Sequence, residues 1–155
     1  MRLYLTTLCG LVALLGQAAA AHAELGGNIA TIAADQQRMK ATTPAQRLNT
    51  TNPNYNAHEF TTEIGTVVRE YANTDGIIFA VTWNGPTKPD LQQLLGRYFP
   101  LFMMASTQAK RTGNGPMAIA TDDLIVHSGG HLRAFTGHAY VPSLTPTGVS
   151  IDALP

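Results

Sequence analysis

The stretch YNAHEFTTEIGTVVREYANTDGIIFAVTWNGP, residues 55–86, decides the fold. Residues 55–62 and 66–71 are β-prone runs, and Glu63-Ile64-Gly65 between them is short enough for a tight connection. Asn73-Thr74-Asp75-Gly76 then carries the Asp-Gly turn signal, because glycine accepts the positive φ such turns need. In residues 77–83 the alternation places Ile77, Phe79, Val81 and Trp83 on one side and Ile78, Ala80 and Thr82 on the other. These features predict a three-stranded antiparallel meander with one large apolar face. Glu59 and Arg69 are expected to meet across two of its strands as an ion pair.

Downstream, Asn84-Gly85-Pro86 stops the strand, Pro89 suits a first helical turn, and Asp90 favours the positive end of a helix. Leu91, Leu94, Leu95 and Tyr98 form one apolar stripe at i, i+3, i+4, i+7. Gly96 weakens that helix by roughly 1 kcal/mol relative to Ala, so packing must hold it. Pro100 is expected to interrupt, with a second helical segment from Leu101 to about Lys110. Residues 112–116 read as a loop, residues 117–127 contain a strand, Ser128-Gly129-Gly130 a turn, and residues 131–141 the returning strand. The prediction is an α+β domain: an antiparallel sheet of about five strands (meander, helix, C-terminal hairpin) with a helix packed on one face.

Upstream, Leu25, Ile29, Ile32 and Ala33 fall at helical spacing before Pro44 and an Asn/Thr/Pro-rich loop. The organisation expected is a helix/loop arm over residues 24–54, a single domain over 55–142 and an irregular tail over 143–155. Ahead of these, Arg2, an apolar run over residues 8–15 and Ala21-His22-Ala23 have the three parts of a secretory signal peptide, residues 1–23. The alternative, a retained anchor, would need about 20 strongly apolar residues, whereas Thr6, Thr7, Gly10, Gly16 and Gln17 dilute this run. The expectation is export to the periplasm or beyond the cell, with the membrane met only transiently.

Cleavage after Ala23 removes Arg2 and the single cysteine, Cys9, leaving nine basic residues against ten acidic ones. A near-neutral domain has no long-range pull on phosphate backbones, so nucleic acid is not an expected partner. Without a thiol the mature domain relies on its core rather than on disulfides.

Several segments together resemble a bacterial family of exported proteins catalogued as domain of unknown function 2844. They are Gly65-Thr-Val-Val-Arg69-Glu-Tyr71, Phe79-Ala-Val-Thr-Trp83-Asn-Gly-Pro86, Leu94-Leu-Gly96-Arg-Tyr98-Phe, Val126-His-Ser-Gly-Gly-His131-Leu-Arg and Gly137-His-Ala-Tyr-Val-Pro142. The resemblance covers nearly all of the mature chain and implies an exported single-domain protein; it implies no activity. At position 138 the family pattern has Arg where this chain has His138.

Candidate sites are few. Trp83 closes the apolar strand and reads either as a core plug or as one wall of a ligand cleft, with Tyr71, Arg97 and Tyr98 as neighbours. His127 and His131 bracket the expected turn and have the imidazole nitrogens that zinc or copper accept, or they are simply an exposed or structural pair. Ser128 beside them lacks a G-x-S-x-G elbow. Glu59, Glu63 and Glu70 lie on neighbouring strands, where ion pairing is the ordinary use of such acids. No Walker loop, dinucleotide fingerprint or HExxH helix is present, so no cofactor is expected. The reading these residues favour is a non-enzymatic binding or accessory protein with a protein partner in the envelope. The alternatives are a small hydrolase using His and carboxylate groups, or a His-based metal-handling protein.

Overall fold

The Asn73 side chain accepts hydrogen bonds from the N–H groups of Asp75 (3.1 Å) and Ile77 (3.0 Å), and Gly76 takes φ +75°. This Asx turn closes the central hairpin where the Asp-Gly signal predicts it. The computed structural model describes residues 24–108 and 116–154. Its strands are β1 (Gln46–Leu48), β2 (Tyr55–Thr61), β3 (Val67–Asn73), β4 (Ile78–Gly85), β5 (Met117–Ala120), β6 (Ile125–His131) and β7 (Ala134–Tyr140). They form one sheet in the order β1-β2-β3-β4-β7-β6-β5, with every neighbouring pair antiparallel. The α+β class holds, but the sheet has seven strands rather than about five. Two strands stand where one was expected after residue 116, because Thr121 turns the chain by bonding Leu124 through both its N–H and its hydroxyl. The seventh, β1, comes from the segment expected as an arm.

The C-terminal hairpin turns later than expected. Ser128, Gly129 and Gly130 are inside β6, paired with Gly137, Thr136 and Phe135, and the chain reverses at Leu132-Arg133 with Arg133 at φ +66°. The glycine at 130 answers a close approach instead of a turn: a Cβ there would overlap the Ala134 carbonyl.

Strand β4 does not alternate throughout. Its pairing with β3 shifts between Tyr71 and Ala72, which oppose Ala80 and Ile78 and leave Phe79 as a bulge. Ile78, Val81 and Trp83 therefore share one face, while Phe79 and Ala80 turn to the other, correcting the regular pattern expected for residues 77–83. The first face carries the main core: Phe60, Val68, Val81, Trp83, Val126 and Ala139 pack under Leu25, Ile32, Leu94, Leu95 and Phe102 from the helical layer. The helices are α1 (Ile32–Arg38), α2 (Leu91–Leu95) and α3 (Phe99–Gln108). Asp90 caps α2 by accepting from Gln92 (2.9 Å) and Gln93 (3.2 Å). Gly96, at φ +47°, ends it, and Pro100 sits in the first turn of α3, where its missing N–H costs nothing. The interruption is thus at Gly96, not Pro100.

The second face has its own smaller core, Tyr55, Ala57, Tyr71, Phe79 and Ala80, with Leu144, Val149, Ile151 and Leu154 of the C-terminal tail packed against it. Both segments flanking residues 55–142 thus pack on the sheet, the N-terminal one against the helical face and the tail against the other.

Candidate functional site

The tail covers only part of the second face. Antiparallel register aligns Glu59, Arg69, Thr82, His138 and His127 in one row across five strands. Side chains directly opposite one another lie about 5 Å apart at Cβ, so the row is a chain of neighbours. Arg69 Nε donates to Glu59 Oε2 at 2.6 Å, the ion pair anticipated from the sequence. The Tyr71 hydroxyl is 3.5 Å from that of Thr82. Burial raises the Tyr71 phenol above its ordinary pKa. At the far end the His127 and His138 rings stack, with centroids 4.9 Å apart and planes at 20°. Tyr140 tilts against His138 at 6.2 Å. Burial lowers the His138 pKa, the neighbouring His127 lowers it further, and Asp152 opposes both.

Over this row runs a groove of about 550 Å³, with Arg69, Thr82, Asn84, Thr136 and the two histidines on its floor. Pro116 borders it on one side, and Ile151, Asp152 and Leu154 of the tail on the other. A second hollow of about 490 Å³ continues past His127, His138 and Asp152 along the tail, as far as Pro142 and Thr145. Polar donors and acceptors spaced along an open groove with apolar borders suit noncovalent binding.

The residues singled out from the sequence are placed apart. Trp83 is 2% exposed in the helix-facing core, whereas Tyr71, fully buried, lies on the opposite face among Tyr55 and Phe79. Arg97 and Tyr98 sit at the junction of α2 and α3. There the Arg97 guanidinium donates to the Gly26 carbonyl and lies 5.9 Å from the Tyr98 ring. Those two residues hold the segment after residue 23, whose Leu25 is fully buried and donates to Leu94 O at 2.9 Å. The structure does not bring these four side chains to one cleft. His127 and His131 are four positions apart on β6, roughly 13 Å along the strand, and the His131 ring reaches only toward the Leu132 carbonyl. Ser128, 3% exposed, faces the helical layer while its neighbour His127 is exposed on the other side. Glu70 is buried in that helix-facing layer, on the opposite face of the sheet from the Glu59–Arg69 pair.

The pairing of His127 with His138 and the approach of Asp152 were the features missed. A hairpin turn at Leu132-Arg133 puts those histidines opposite each other, whereas a turn at 128–130 does not. Arg133 at the left-handed position is a weak signal beside the two glycines before it. The tail has no periodicity to announce where Asp152 comes to rest.

Fold and groove together define a class: an α+β protein built on one antiparallel sheet, helices on one face and an open polar groove on the other. The chain belongs to the family described as protein of unknown function (DUF2844), whose model matches residues 21–154. No curated protein and no solved structure is matched by this chain.

Proposed function

We propose that this is an exported, non-enzymatic binding or accessory protein of the cell envelope, taking its partner in the groove on the tail side of the sheet. The observation that carries this reading is the polar row Glu59-Arg69-Thr82-His138-His127, of which Arg69, Thr82, His138 and His127 line the open groove beside the tail. It offers donors, acceptors and a stacked imidazole pair. Ser128, the hydroxyl beside the histidines in the sequence, is buried on the helical face of the sheet, away from the exposed His127. Export rests on the tripartite residues 1–23, which lie outside the described residues.

A photoreactive amino acid at Asn84 or Thr136, both exposed in the groove, tests the reading in cells, with Ile64 on the β2–β3 turn as control. The result expected is one dominant envelope adduct from the groove positions, absent from Ile64, on a chain that begins at Glu24. Equal labelling from all three positions, or none, overturns the groove. A chain retaining residues 1–23 in the cytoplasm overturns export.

A further inference from the structure

We infer that two copies of this chain join at the β5 edge of the sheet, β5 pairing antiparallel with β5 of a second copy across a twofold axis to make one continuous sheet. The edge and the groove floor are separate features, so this dimer does not depend on what the groove takes. The two ends of the sheet are guarded differently. At one end β1 is three residues long, follows Pro44 closely and has Arg47 exposed within it. Short length, charge and a nearby proline are the usual defences against strand addition. At the other end β5 reads Met117-Ala118-Ile119-Ala120, with no charge, no proline and no break in its register with β6. Only one side of β5 bonds to β6, and alternate residues point their N–H and C=O groups away from it. Ile119 is buried toward the helical layer, whereas Ala118 and Ala120 are exposed on the groove side and leave the edge open to a neighbouring backbone.

The ends of this edge carry opposite charge, which selects a second copy as the occupant. Asp122 and Asp123, both exposed, form the β5–β6 turn, and exposed Arg133 stands on the β6–β7 turn at the opposite end. A copy given a half-turn in the plane of the sheet brings its acidic turn to the basic end of the first, and the symmetry repeats the contact. Placing Ile119 on the axis sets Ile119 against Ile119 on the helical side and Ala118 against Ala120 on the groove side. Apolar residues then face apolar ones along the whole of β5. In that register Asp123 of the second copy lies two strand spacings, roughly 10 Å, from the end of β6, within the span of an arginine and an aspartate side chain. Parallel addition would set like charges side by side. The half-turn also keeps both helical layers on one side, so the two grooves, each bordered by Pro116, Met117 and Ala118, open on the same face.

The test is sedimentation equilibrium of the exported protein, for which a dimer is expected. A118K/A120K puts like charges directly opposite one another and should weaken dimerisation about tenfold or more. Both alanines are exposed, so this variant keeps its fold. R133D alone should weaken the dimer and R133D with D123R should restore it, a rescue that a merely structural role for either residue would not produce. Q46K, on the opposite edge of the sheet, should leave it unchanged. A monomer at every concentration, a dimer indifferent to A118K/A120K, an R133D defect that D123R does not repair, or equal disruption by Q46K overturns the proposal. A monomer whose envelope adducts vanish in A118K/A120K also overturns it, assigning the edge to a strand of another protein. Labelling from Asn84 and Thr136 reports on the groove separately.

Discussion

Gly137 lies directly against Trp83: a Cβ at position 137 would come within 2.6 Å of Trp83 Cε2 and would also overlap the His127 carbonyl. The two residues are cross-strand partners on β7 and β4, and the missing side chain is the space the indole occupies. G137A is therefore expected to destabilise the protein by about 1–3 kcal/mol, the usual cost of overpacking a core. Urea unfolding followed by Trp83 fluorescence measures it, and a neutral result would mean the indole has room to shift.

Leu25 is fully buried beneath α2 although it is expected to be the second residue of the mature chain. L25A should cost about 2–5 kcal/mol, as for other buried leucines. Thermal melts of the variant compared with I64A, exposed on the β2–β3 turn, separate this anchor from a general effect of losing a side chain.

The Glu59–Arg69 pair has each side chain about one-third exposed, so its contribution is screened. A double-mutant cycle with E59A and R69A is expected to give a coupling of about 0.2–1 kcal/mol, falling in high salt. A larger, salt-independent coupling would show that the groove floor is far drier than its exposure suggests.

Two histidines titrate below their ordinary value of 6.5: His138 through burial and then His127, and His58 through burial and then Arg47. A histidine with a depressed native pKa holds fewer protons folded than unfolded between the two values. Stability therefore falls as pH drops below about 6.5, and the loss is complete below the native pKa. Melting temperatures in chelator from pH 7.5 to 5 should decline, and H138N should flatten part of that decline. A slope unchanged in H138N would assign it to other groups.

Legibility from sequence followed the range of the interactions. The β2-β3-β4 meander, the Asp75-Gly76 turn, the Asp90 cap and the Glu59–Arg69 pair are all written in local pattern, and the structure has each. The bulge at Phe79 was not readable, because Ile77 to Trp83 alternates well enough to pass for a regular strand. The turn at Leu132-Arg133 was hidden by a Gly-Gly pair whose use is close packing against Ala134. The His127–His138 contact depends on that turn and was lost with it. Trp83 was recognisable as a core plug, but Tyr71 was expected beside it in a cleft, whereas Tyr71 is buried on the opposite face of the sheet.

The one-residue slip at Phe79 constrains how the gene can drift. Upstream of Phe79 the strand is in one phase and downstream in the other, so Val81 and Trp83 reach the helical core only because one extra residue is spent at the bulge. Deleting a single codon there would invert the second half of the strand, turning Trp83 out and Thr82 in. Chain length at this position is thus as heritable a requirement as any side chain, and a shortened β4 is viable only with a matching loss or gain in the strands beside it.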